Sequence, residues 1–88
     1  MTELIITVTN QLGLHARPAS LIVQTANKFN AEIFLEKDGI SANAKSIMSV
    51  MMLAAAVNSQ VKISAKGKDA QVAVDAIAAL FAGNFNEE

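Results

Sequence analysis

The residues able to do chemistry in this 88-residue chain are few and crowded together. Its only histidine, arginine and proline are His15, Arg17 and Pro18, within the run Gly13-Leu14-His15-Ala16-Arg17-Pro18. A neutral imidazole nitrogen can take up a phosphoryl group and hold it as a covalent intermediate. A neighbouring guanidinium fork can hold phosphoryl oxygens by charge-assisted hydrogen bonds. Phosphoryl transfer rests on positioning and charge stabilisation, which is what such groups offer. On residue types alone a capping or solvated His15 and a solvated Arg17 are the commoner outcome, so the spacing suggests this chemistry without establishing it.

A second cluster surrounds Ser46, which precedes the apolar run Ile47-Met48. Ser46 suits an N-cap, contributing about 1 kcal/mol by accepting a hydrogen bond from a free helix amide. It is also a candidate for phosphorylation, which would add negative charge beside any neighbouring interface. Ile47, Met48, Met51 and Met52 put more apolar surface on one short helix than a single buried face can hold. Met48 and Met51 are expected to be exposed, and methionine's flexible thioether favours surfaces that accept several partners.

Composition removes several other classes of function. There is no cysteine, so thiolate metal sites, redox motifs and disulfide frameworks are excluded. With one histidine and no acidic cluster, neither a metal nor a cofactor is expected. A net charge of −1 and the absence of tyrosine and tryptophan argue against a nucleic-acid partner. The start Met1-Thr2-Glu3 is acidic, unlike a signal peptide, and no apolar run approaches the roughly 20 residues of a membrane span. A cytoplasmic, soluble protein without membrane insertion is expected, and nothing requires more than a monomer.

The elements that must position these residues follow from hydrophobic periodicity. One domain, 1–88, is expected, with 52% apolar residues supplying the core. The β-branched stretch 4–9 reads as a strand with Leu4, Ile6 and Val8 facing inward, followed by a turn over 10–13. From Ala16 the spacing becomes helical, with Ala19, Ile22, Val23 and Ala26 on one face and an end near Phe29. Residues 32–36 form a strand turning at Asp38-Gly39, a strong hairpin signal, into a short return strand over 40–43. A second helix is expected from Ile47 to about Ala56, and a strand over 61–66 with Val61, Ile63 and Ala65 inward. Asp69 is placed as the N-cap of a last helix carrying Val74, Ile77, Leu80 and Phe81, with Gly83 in the left-handed C′ position and a polar tail over 84–88. The order β-α-β-β-α-β-α suggests an α+β two-layer sandwich, helices on one face of an antiparallel sheet.

Such a helix would begin beside His15, and its first amides have no intrahelical partner. Those amides and the helix dipole together favour a bound anion. Pro18 is tolerated this early because its missing N–H would have been unpaired anyway. It also biases Arg17 away from helical backbone, leaving the boundary open by a residue or two. Gly13 can bring the loop close to the helix start.

Gly13-Leu14-His15-Ala16-Arg17-Pro18-Ala19 resembles the active-site signature of the HPr family, the histidine-containing phosphocarriers of the bacterial phosphoenolpyruvate phosphotransferase system. Asn43-Ala44-Lys45-Ser46-Ile47-Met48, with Val50 and Met51, resembles the family's regulatory serine motif. The resemblance spans essentially the whole chain. It implies an open-faced sandwich with strand order 1-4-2-3 and three helices on one face. It implies that His15 accepts a phosphoryl group on Nδ1 from phosphorylated enzyme I and passes it to an EIIA-type domain in sugar uptake. Arg17 then stabilises the phosphoryl group and Pro18 shapes the helix start. The implied partner surface comprises Ala16, Arg17, Ser20, Ile47, Met48 and Met51. Ser46 matches the site of an HPr kinase/phosphorylase, although Ser49 stands where many kinase-regulated members have Gly. The implied role is a stoichiometric relay, not an enzyme with its own turnover. Ala79-Leu80-Phe81-Ala82-Gly83-Asn84-Phe85 is similar to NPr, the nitrogen-branch paralogue, which leaves a regulatory interaction module as the alternative function.

Overall fold

The computed structural model describes residues 1–86. The elements are β1 (Thr2–Thr7), α1 (Ala16–Ala26), β2 (Glu32–Lys37), β3 (Ile40–Asn43), α2 (Ile47–Met52), β4 (Gln60–Lys66) and α3 (Ala70–Ala82), closed by a short turn, Asn84–Asn86. The four strands form one sheet in the order β1-β4-β2-β3, each neighbouring pair antiparallel. With β4 between them, β1 and β2 run parallel, and α1 makes the crossover that a parallel pair requires.

The sheet has one apolar and one polar face because successive side chains alternate. Leu4, Ile63, Leu35 and Ala42 stand opposite one another in a single row across the sheet. Ile63, Leu35 and Ala42 are buried in the core with Val8, Ile22, Ile33, Val50, Val61, Val74 and Ile77. Leu4 was expected in that core and is 41% exposed. It shares their row, but β1 is an edge strand, with no further strand beyond it among the described residues. On the polar face Lys62 pairs with Glu3 at 3.7 Å and with Glu36 at 3.5 Å.

Local chemistry accounts for most boundaries. The hairpin turns where read: Asp38 and Gly39 take φ values of 52° and 81°, the left-handed pair of a two-residue turn. The regular turns of α1 end at Ala26, and the chain then tightens, the Lys28 and Phe29 amides donating to the Thr25 and Ala26 carbonyls at 3.1 and 3.2 Å, so that the turn runs out at Phe29. α2 ends at Met52, well before Ala56. There Ala54 turns left-handed, with φ 51°, and the chain leaves toward β4.

Three expectations around α3 are corrected. Asp69 occupies the N-cap position but makes no capping bond through its side chain. Its carboxylate instead accepts from the amides of Asn30 at 2.9 Å and Ala31 at 2.8 Å, tying α3 to the loop before β2. Gly83 has φ −92°, so it is not the left-handed residue. That conformation passes to Asn84, Phe85 and Asn86, at φ 51°, 57° and 59°. Left-handed backbone costs an L-residue roughly 1–2 kcal/mol. The expected polar tail is therefore structured over its first three residues, and its remainder, 87–88, lies outside the described residues. Phe85 is buried, its ring and that of Phe81 forming a T-shaped pair with centroids 4.9 Å apart. Burying such a side chain contributes roughly 1.5–3 kcal/mol, which offsets part of the backbone cost.

Candidate functional site

The rare residues are gathered by a loop and the first turn of α1. After β1, Val8 is pinned to the segment before β4: its amide donates to Ser59 and its carbonyl accepts from Asn58, both at 2.8 Å. The loop then folds back over Asn10, whose buried side-chain amide donates to the Gly13 carbonyl at 2.8 Å. The Gly13 amide returns a bond to the Asn10 carbonyl at 3.1 Å. Gly13 itself has φ +65°, and a Cβ there would lie 2.3 Å from the Ala55 carbonyl oxygen. Glycine is thus required twice over, by its backbone and by the close approach of residues 55–56.

His15 is the N-cap of α1, with extended backbone at φ −77° and ψ −171°. Its carbonyl accepts the first helical bond, from Ala19 at 3.0 Å. The amides of Ala16 and Arg17 precede that bond, and Pro18 has no amide to leave unpaired. The helix start therefore presents two donors and the positive end of its dipole beside the imidazole. The expected bias of Arg17 out of the helix is overridden, since α1 begins at Ala16 and Pro18 sits third. Pro18 is buried, anchoring the turn from beneath, while His15 is half-buried and Ala16 and Arg17 are exposed. Arg17 lines a surface depression of about 450 Å³ together with Thr9, Asn10, Asn84 and Asn86.

The expected Ser46 cap forms. Ser46 caps α2, its hydroxyl accepting from the Ser49 amide at 3.4 Å. Serine in place of glycine at position 49 leaves this cap intact, because the donor is backbone. Met48 is 67% exposed, and Ile47 and Met51 are each 39% exposed. Ser20, on α1, is half-buried and accepts from Gln24 at 3.1 Å. The two clusters are brought onto neighbouring elements: α1 packs against α2, and the Leu14 amide donates to the Ala55 carbonyl just beyond α2. Met52 belongs to the surplus of apolar residues read from the sequence but not to the pair expected outside, and it is the most exposed of the α2 methionines at 75%. Sequence reading missed Leu12, exposed in the loop before His15. No spacing signal marks Leu12, and the exposure of Met52 depends on where α2 ends.

Among the described residues no group of three or more His, Cys, Asp or Glu could hold a metal. No helix among them is long and apolar enough to cross a membrane. The candidate site gathers one imidazole, one guanidinium and the two amides of the first turn of α1 beside the partly exposed face of α2.

The family model described as "PTS HPr component phosphorylation site" matches residues 2–83. The chain is 48% identical over 81 residues to the phosphocarrier protein HPr of Treponema pallidum, covering 92% of each chain. It is 47% identical over 79 residues to the HPr-like protein Crh of Bacillus subtilis, covering 90% of this chain and 93% of that one. Among solved structures, HPr of Thermoanaerobacter tengcongensis superposes with a TM-score of 0.96 at 48% identity, covering 100% of this chain and 99% of the other. That agreement extends from sequence motifs to the whole backbone, and the chain belongs to the HPr family, the phosphocarrier proteins of the phosphotransferase system.

Proposed function

We propose that this protein accepts a phosphoryl group on His15 from phosphorylated enzyme I and delivers it to an EIIA-type domain. The observation that carries the reading is His15 at the N-cap of α1, with the Ala16 and Arg17 amides ahead of the first helical bond. An imidazole nitrogen lone pair attacks phosphorus, and the P–N bond to His15 forms as the bond to the donor breaks. The amides and the Arg17 guanidinium take up charge on the phosphoryl oxygens, and the same groups act in reverse when an acceptor attacks. The protein is regenerated by passing the group on, so it acts as a stoichiometric relay of one domain.

The docking face consists of Ala16, Arg17 and Ser20 on α1 with Ile47, Met48 and Met51 on α2. Exposed methionines suit successive docking to different partners. Ser46 lies at the start of that apolar face. A phosphate there is welcomed by the helix N-terminus but sets about −1.5 to −2 charges against an incoming apolar partner. Phosphorylation of Ser46 by an HPr kinase/phosphorylase would therefore hinder enzyme I.

The test is intact mass after incubation with phosphoenolpyruvate and enzyme I. One phosphoryl addition is expected, lost in mild acid and absent in His15→Ala. No addition, or an acid-stable one, overturns the carrier reading. Arg17→Ala should slow transfer more than it lowers the unfolding midpoint, because Arg17 is exposed and outside the core.

A further inference from the structure

The loop that delivers His15 is held from a direction that its own sequence does not disclose. The Thr9 hydroxyl donates to the Asn84 side-chain oxygen, joining residues 75 positions apart. Asn84 opens the run of three left-handed residues that ends the described chain. The run is held by the Asn86 amide, which donates to the Gly83 carbonyl at 3.0 Å, and by the burial of Phe85. Backbone in sparsely populated conformations persists only where the surroundings over-determine it. Here its effect is to place the Asn84 and Asn86 side chains on the wall of the depression that Arg17 lines.

From Thr9 the constraint runs directly into the site. The next residue is Asn10, whose side chain and carbonyl both bond to Gly13, two residues before His15. The far side of the same loop is fixed by Leu14 to Ala55. Val8 is already held by backbone bonds to Asn58 and Ser59, so what the Thr9–Asn84 bond adds is a tie from this loop to the C-terminal turn. We propose that Thr9 and Asn84 are positioning residues for phosphoryl transfer: their hydrogen bond clasps the left-handed C-terminal turn to the loop that carries His15, and so sets the wall beside Arg17. The inference rests on the phosphohistidine reading and adds two residues to it.

Steady-state phosphoryl transfer from enzyme I, measured against carrier concentration alongside thermal unfolding, tests it. Thr9→Val removes the donor and keeps the branched shape; Thr9→Ser restores the hydroxyl. Asn84→Ala removes the acceptor, while Asn84→Asp keeps an acceptor and a side chain that tolerates left-handed backbone. Thr9→Val and Asn84→Ala should lower kcat about tenfold with KM nearly unchanged, the scale expected from slight misplacement of a reacting group. Thr9→Ser and Asn84→Asp should recover most of the rate. A Thr9→Val protein that transfers at the native rate, whatever its unfolding midpoint, overturns the clasp while leaving the carrier reading in place. A native protein that takes up no phosphoryl group overturns both.

Discussion

The Leu14 amide donates to the Ala55 carbonyl over 2.9 Å, so the residue before His15 is held by the residue two positions past α2's last cap. The bond needs the chain to leave α2 sharply. Ala54 makes that turn at φ 51°. An alanine in left-handed backbone is disfavoured because its Cβ crowds the following carbonyl oxygen.

Ala54→Gly is therefore expected to stabilise the protein. Relief of roughly 1–2 kcal/mol of backbone strain is partly offset by the greater freedom of glycine in the unfolded chain, about 0.4–1 kcal/mol. The net gain is about 0.5–1 kcal/mol, raising the unfolding midpoint by roughly 2–8 °C in a chain of this size. Ala54 is exposed, so no packing is lost. Calorimetric unfolding of the two proteins checks this, and a fall in midpoint would show that the Ala54 methyl contributes more than its conformation costs.

Asp69 gives stability a defined response to pH. Its carboxyl is held below the usual carboxylate range, chiefly by the Asn30 amide, helped by the amides of Ala31 and of Asp69 itself and by the Lys45 charge, against a smaller opposing effect of burial. A carboxyl with a lowered folded-state pKa binds its proton more readily when unfolded, so its contribution is complete above the unfolded value, about 3.9. The contribution fades as pH falls through the lower, folded value. Asp69→Asn should therefore lower the unfolding midpoint at pH 7, with the gap to the native protein closing below about pH 4. Thermal unfolding from pH 7 to pH 2 measures the gap; a constant difference across that range would mean that the charge is not what holds the loop.

How much of this was legible in the sequence follows from the range of each interaction. The Asp38-Gly39 hairpin and the Ser46 cap depend on neighbours within three residues, and both form as read. The site signature is equally local, and His15, Arg17 and Pro18 fall together at the start of α1. Asp69 was placed as a cap because a local partner is the default; its real partners, Asn30 and Ala31, arrive only when the sheet closes. Phe85 sits among asparagines and acids, so composition made it tail, while packing against the Phe81 ring made it core. The alanines after Leu53 favour helix by propensity, but the chain must turn there to reach Ala55's bond with Leu14 and then β4. The Thr9–Asn84 clasp has the longest reach and left no sequence signal except the preference of asparagine for left-handed backbone.

Met48 and Val50 lie on one six-residue helix, and substituting each separates the proposed docking role from folding. Val50 is fully buried, and Val50→Ala removes apolar volume that the core cannot readily refill. A loss of about 2 kcal/mol of stability is expected, at the low end of large-to-small core substitutions. Met48 is 67% exposed and lies outside the core. Met48→Ser should shift stability by less than about 0.5 kcal/mol. Under the proposed docking face it should instead raise the KM for transfer from enzyme I several-fold, because an exposed anchor contributes to association rather than to the reacting geometry. Unfolding and transfer measured on both variants should give opposite patterns. If Met48→Ser leaves the KM unchanged, the α2 face is not where enzyme I docks.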